Sequence, residues 1–257
     1  MSDAASLRPS PWTARAAGAG SIVALVAIVE ALIRAGLINR FVVPLPSQVL
    51  AAIPRVLAEE NVAQRFWQTA QEMLWAALLL AVVGMALGAL LHRVRLLRLA
   101  CETWVGAMAA APVVLMYPLF LVIFGRSAAT IIAIGFAAGL PAVILKTIEG
   151  LAGTRQVLID VGRSLKLTPA QQFRKILLPA ALPAIFTGFR LGLIFAMINI
   201  VGVEFLINFG GLGQLINDLA ERYDLPAMYA AICFVVLVSV LFFDATERIE
   251  RWMLHAR

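Results

Sequence analysis

The run MLWAALLLAVVGMALGALL, Met73 to Leu91, decides the fold class. It has no ionisable side chain, and about 20 apolar residues in a helix cross a hydrocarbon core of about 30 Å. Uncharged runs of similar length follow at Thr103 to Gly125, Ser127 to Leu145 and Leu225 to Phe243. Two further apolar stretches, Gly18 to Ile38 and Ala180 to Ile207, carry ionisable residues: Glu30 and Arg34 in the first, Arg190 and Glu204 in the second. In lipid every backbone amide must find its partner within the segment, so such runs are helices. The expectation is an all-α integral membrane protein with about six spans, 18–38, 73–91, 103–125, 127–145, 180–207 and 225–243. Residues 18–245 would form one membrane domain, with tails at 1–17 and 246–257. A turn at Gly125-Arg126-Ser127 leaves so little chain between the third and fourth spans that they must form a tight hairpin.

The composition agrees. Of 257 residues, 62% are apolar and 14% charged, against roughly 45–50% and about 25% in soluble domains. That excludes a soluble enzyme, a nucleic-acid-binding domain and a disordered chain. The net charge of +6 comes from bases scattered between apolar runs, which build no basic face for nucleic acid. Cys101 and Cys233 lie in separate apolar segments, and read as small buried residues, neither a disulfide pair nor metal ligands. His92 and His255 sit at membrane edges without partners at ligand spacing.

Lysine and arginine are retained on the cytoplasmic side, so their placement sets the orientation. With the amino terminus inside, fourteen bases fall in cytoplasmic segments, among them Arg93, Arg95, Arg98, Lys146, Arg155, Arg163, Lys166, Arg174 and Lys175. Five fall outside: Arg40, Arg55, Arg65, Arg126 and Arg222. Both termini are therefore expected in the cytoplasm. A cleaved signal peptide is the competing reading of the first 40 residues, but the small-residue stretch Ala14 to Gly20 precedes the apolar run, the wrong order for a cleavage site. Asp244 to Arg257 alternates acids and bases as a charged helical extension would.

The longest cytoplasmic connection, 151–178, has helical punctuation. Val157, Leu158, Val161 and Leu165 recur at helical spacing, which predicts a short amphipathic helix over about 154–165. Thr168 can cap a second helix, Pro169 suits its first position and Gln171 completes a capping box. Pro179 and Pro183 then mark the entry to the fifth span. Two short helices meeting at a polar elbow form a protrusion for a soluble partner to grip. An amphipathic hairpin lying on anionic lipid, drawn by Lys166, Arg174 and Lys175, is the alternative.

The residues of that loop resemble a known signature. Asp160-Val161-Gly162-Arg163-Ser164-Leu165-Lys166-Leu167-Thr168, then Phe173 to Ile185 and Gly188-Phe189-Arg190, is similar to the cytoplasmic EAA loop of permease subunits in binding-protein-dependent ATP-binding-cassette importers. Asp160 stands where the family has Glu, Gly162 where it has its second Ala, and Lys166 where it has Gly. A glycine there permits a left-handed backbone, which would strain a lysine by roughly 1 kcal/mol. Either the elbow differs locally or it accepts the strain. The likeness runs from about Asn39 to the carboxyl end. Val43-Pro44-Leu45-Pro46-Ser47 resembles the segment after the first span, and Ala111-Pro112 through Pro118 a proline-broken third span. Glu204 with Gly211-Leu212-Gly213-Gln214-Leu215-Ile216 resembles the element after the fifth span in the nitrate, sulfonate and taurine subgroup.

The resemblance implies a type I importer permease in a bacterial inner membrane. It implies two copies of the chain, an ATPase pair below them that binds ATP and Mg, and a periplasmic solute-binding protein above. This chain carries no Gly-x-x-x-x-Gly-Lys-Ser/Thr run to hold ATP phosphates, so no catalytic residue or cofactor is expected on it. Asp160, Gly162, Leu165, Lys166, Leu167, Thr168 and Pro169 would couple to the ATPase. The substrate would be a small organic or inorganic anion, with a pyrimidine precursor or aromatic compound as the alternative.

Intramembrane ionisable and polar groups are functional candidates by default. Glu30 and Arg34, four apart, can pair locally, and Arg190 can snorkel to the cytoplasmic surface. Asn199, Glu204 and Asn208 are candidates for a pathway or gate, with helix–helix hydrogen bonding as the competing role. Gly210, Gly211 and Gly213 predict an irregular turn before a short helix, Gln214 to Arg222. Gly211, Gly213, Asp218 and Glu221 would then offer an acidic docking surface to the binding protein, with Asp224 beside them. A stand-alone secondary transporter would show an internal repeat, and a membrane enzyme would show convergent catalytic groups. Neither is visible.

Overall fold

The computed structural model describes residues 11–255. The parts of the expected tails at 1–10 and 256–257 lie outside the described residues. Among the described residues there are twelve α-helices: α1 Pro11–Arg34, α2 Pro46–Glu59, α3 Val62–Leu79, α4 Met85–Arg93, α5 Arg95–Ala110, α6 Tyr117–Phe124, α7 Ala128–Ala152, α8 Gln156–Ser164, α9 Pro169–Gln172, α10 Leu178–Ile207, α11 Gly211–Glu221 and α12 Leu225–His255. Among the described residues, four helical stretches are long and apolar enough to cross a membrane: Val62–Arg93, Ala128–Ala152, Pro169–Ile207 and Leu225–Trp252. A fifth follows if α5 and the segment Val113–Phe124, bent by 93°, count as one span. The expected first span lies on α1, outside that set, and α1 ends at Arg34 instead of Ile38.

The third span carries the proline break that the resemblance implies, and two others begin earlier than the sequence predicts. The third span is broken at Ala111-Pro112, because a residue before proline is driven out of the helical region; Ala111 adopts an extended ψ of 134°. The second and fifth spans begin about ten residues early, since helix continues through the charged residues that end an uncharged run. Each contains a π turn, at Leu80–Gly84 and Phe173–Leu177. The second lies just ahead of Pro179, whose ring cannot tolerate the regular i−4 carbonyl.

At the centre α7 lies along α10, the most extensive helix pairing in the chain. Lipid provides no hydrophobic force between helices, so close backbone approach and dispersion must hold them. Gly139 faces Gly192 there: a Cβ on Gly192 would lie 2.9 Å from the Gly139 carbonyl oxygen and 2.7 Å from Val143. Leu80, Ile131, Ile134, Val143, Leu193 and Ile200 fill the core around this seam. A second apolar cluster joins α2, α11 and α12 through Val56, Leu215, Leu219 and Ala231. Cys101 is half-buried and Cys233 is exposed on α12, so the expectation that both are buried is corrected. The apolar exterior of α12, including Val236, Leu237 and Val240, is what a lipid-facing helix presents.

The local ion pairs follow the spacing. Arg34 donates to Glu30 at 2.6 Å, and Glu30 also accepts from the Ser47 amide and hydroxyl at 3.0 and 2.8 Å, fastening α1 to the start of α2. Arg190 does not snorkel. It pairs with Glu250 of α12 at 3.1 Å and lies 5.5 Å from the Phe243 ring centre.

Candidate functional site: the α8 elbow and the α11 corner

At one end of the molecule α8 projects from α7 and returns through α9 into α10. Thr168 Oγ1 accepts from the Gln171 amide at 3.3 Å while Gln171 Oε1 accepts from the Thr168 amide at 2.9 Å, the expected capping box, with Pro169 at the first helical position. Lys166 does adopt the left-handed backbone, with φ of 49°. Its amide donates to the Arg163 carbonyl at 2.9 Å and the Leu167 amide to the Gly162 carbonyl at 3.0 Å. This is the hydrogen-bond pattern of a glycine helix stop built on a lysine, so the elbow accepts the strain.

Gly162 is the buried point of α8, and a Cβ there would stand 2.6 Å from Ile176. Gln172 Nε2 donates to the Ile159 carbonyl at 3.3 Å, the second fastening of the elbow. Asp160 points outward and is bonded to Arg163 at 3.2 Å. Val157 and Leu165 are 71% and 67% exposed, with Leu158 and Val161 beside them. An apolar helix face is thus held outward with none of the described residues upon it.

At the other end, α10 stops at Asn208, left-handed with φ of 54°, and the Arg126 guanidinium donates to the Asn208 carbonyl. Glu204 has 0% exposure. One of its oxygens accepts from Thr69 Oγ1 at 2.7 Å, the other from the Gly213 amide at 2.7 Å. The Leu212 amide donates to Thr69 Oγ1 at 2.9 Å and the Gly211 amide to Gln68 Oε1 at 3.0 Å. The first three amides of α11, unpartnered within any helix, are therefore all satisfied by α3 and α10. Here α11 begins at Gly211, three residues earlier than expected.

Of the three pathway candidates, Asn199 and Asn208 are half-buried; Asn199 stands on α10 between exposed Ile198 and half-buried Val201, its amide turned back to the Phe195 carbonyl at 2.8 Å. Glu204 is enclosed by α3 and α11. The expected docking residues are placed differently from one another. Gly211 and Gly213 are buried, Asp218 is bonded to Arg65 at 2.7 Å, Asp224 to Arg55, and Arg222 to Glu60 at 2.7 Å. Glu221, exposed and accepting from Asn217 at 2.9 Å, is the one expected docking residue left facing outward. Sequence reasoning missed Thr69 and Glu72, because the charge on Glu72 ended the uncharged run at Met73. Their i, i+3 spacing with Arg65 one turn earlier is the signal that helix, with a buried polar stripe, continues past that boundary.

Among the described residues no group of histidine, cysteine or acidic residues could hold a metal.

An all-helical membrane bundle with a short projecting helix between its two longest-paired spans defines a type I importer permease fold. A chain of the MetNI methionine ABC transporter, in an inward facing crystal form, matches with a TM-score of 0.64 and 24% identity over 74% of this chain and 94% of that one. The family described as binding-protein-dependent transport system inner membrane component matches residues 81–255, and the chain belongs to it. It is 31% identical to the nitrate import permease protein NrtB of Leptolyngbya laminosa, over 68% of this chain and 64% of that one. It is 26% identical to a putative aliphatic sulfonates transport permease protein, SsuC, of Bacillus subtilis over 91% and 84%.

Proposed function

We propose that this chain is the permease subunit of an ATP-binding-cassette importer for a small anion of the nitrate or alkanesulfonate kind. The observation that carries this reading is the elbow: a rigidly capped helix whose apolar face, Val157, Val161 and Leu165, is presented outward beside Asp160. Such a face excludes water only when a partner covers it. In this reading the α8 end is cytoplasmic, as are both termini, in a bacterial inner membrane. Two copies of the chain form one pathway, and two ATPase subunits binding ATP and Mg grip the two elbows. The α11 end faces a periplasmic binding protein, with Glu221 among the docking residues. ATP-driven closure of the ATPases moves the elbows together. Because α9 continues into the long helix ending at Ile207, that motion is carried along α10 as a rigid body and switches the pathway between inward- and outward-open states. Substrate choice rests on the names of the relatives.

Replacing Asp160 with Ala and Leu165 with Ser together is the test, in a reconstituted importer with its ATPase and binding protein. The expected result is a folded permease that no longer retains the ATPase and no longer takes up labelled nitrate or alkanesulfonate. Uptake that survives the double substitution, or uptake by the permease alone without ATP, overturns the reading.

A further inference from the structure

The turn between α4 and α5 carries positive charge that the helical bundle does not use. The second span ends at Arg93, which sets this turn at the level where lipid headgroups lie. Val94 follows with an extended ψ of 92°, and α5 starts back towards the apolar layer as the first half of the bent third span. A cavity of about 350 Å³ opens at the turn, lined by His92 from α4 and by Arg95, Arg98, Leu99 and Glu102 from α5. Arg98 donates from Nε and Nη2 to Glu102 at 2.8 and 3.4 Å, which leaves its Nη1 without a partner among the described residues. Arg93 and Arg95 are exposed and have no acidic partner among those residues. Three arginines thus stand against one carboxylate, and that carboxylate is already engaged.

Arginine binds phosphate oxygens through paired N–H donors, and basic pockets beside membrane spans take anionic headgroups. We propose that this cavity holds the phosphodiester of an anionic phospholipid, with Arg95 and Arg98 on the phosphate and Arg93 beside it. Leucine decides between a lipid and a dissolved phosphate: Leu99 lines the cavity itself, and Leu96 and Leu99 are 77% and 68% exposed. The glycerol and upper acyl chain of a lipid cover those side chains, whereas a free anion leaves them bare. The excess of positive charge selects against a zwitterionic lipid, because the carboxylate that a headgroup amine would need is held by Arg98. A bound lipid then fixes the turn that joins the second span to the broken third. The site rests on the depth at which Val62–Arg93 ends, and is independent of which solute the chain carries.

The full-length protein is reconstituted into vesicles of phosphatidylcholine alone, of the same lipid with inorganic phosphate in the buffer, and of phosphatidylcholine and phosphatidylglycerol in equal parts. Hydrogen exchange of the peptide 92–99 is the measurement, with the α8 peptide, which lies among the bases Arg155, Arg163 and Lys166, as the reference for surface charge. Phosphatidylglycerol should slow exchange at 92–99 about threefold beyond any change in α8, and inorganic phosphate should not. Arg95→Gln with Arg98→Gln should lose that difference while α8 behaves as in the wild type. Should the double variant not fold, the three wild-type conditions still decide the matter. Exchange at 92–99 that is the same with and without phosphatidylglycerol, equal protection by inorganic phosphate, or protection retained in the double variant overturns the site.

Discussion

The two ends of α10 solve the same problem in opposite ways. At the elbow and at the corner a long helix is joined to a short one through a left-handed residue other than glycine, Lys166 in the first and Asn208 in the second. The elbow buries one small residue, Gly162, and leaves its apolar side chains outside. The corner buries its polar groups and closes its charges into pairs. Exposed apolar surface on a well-capped helix marks a place for another molecule. A satisfied buried polar network instead specifies how the chain's own helices sit. Two segments equally conspicuous in sequence are therefore built differently, and substitutions should separate them.

The largest effect is expected from Glu204→Ala. It strips acceptors from the Gly213 amide and Thr69 hydroxyl in a buried setting, at about 2–4 kcal/mol. Thermal unfolding in detergent should show a clearly lowered midpoint, with Glu204→Gln less affected. A midpoint unchanged in Glu204→Ala would mean that the corner is not the keystone the contrast makes it.

Next comes Gly192→Val, which forces side-chain atoms into the Gly139 carbonyl and Val143. Overpacking of this kind costs about 1–3 kcal/mol, read as a lower midpoint and faster exchange in both α7 and α10. Normal stability would show that the seam is loose enough to yield.

Lys166→Gly is expected to stabilise the elbow by about 1 kcal/mol, since the left-handed backbone is retained without the Cβ clash. Slower hydrogen exchange at the carboxyl end of α8 is the measurement. Faster exchange there would show that the backbone freedom glycine gains in the unfolded chain outweighs the relief.

The smallest effect on stability belongs to Val157→Ser with Leu165→Ser, under about 0.5 kcal/mol because both side chains are already exposed. The unfolding midpoint should stay put while co-purification of the ATPase is lost. A large fall in the midpoint would place these side chains in the chain's own packing and dissolve the contrast between the two ends.

Much of this was legible in order of residues. The capping box at Thr168 and Gln171, the amphipathic spacing of Val157 to Leu165, the Glu30–Arg34 pair and the break at Ala111-Pro112 are local, so spacing alone specifies them. The role of Glu204 was not. From the sequence it is a polar residue near the end of a span, and a pathway carboxylate and a buried anchor look alike there. The same holds for Asp218, which reads as surface acid until Arg65, far away in the chain, closes on it.

The sequence by itself determined that the chain is helical and membrane-embedded, where its helices are punctuated, and which family's loop it carries. These depend on runs and spacings of a few residues, and on the requirement that backbone amides in lipid be satisfied within the helix. Only the tertiary structure decided that Gly139 meets Gly192, that Thr69 of α3 bonds Glu204 beneath the first turn of α11, and that Arg65 closes on Asp218. Those contacts join positions far apart in the chain, and their energies depend on burial and on the direction of each donor, which exist only once the helices are packed.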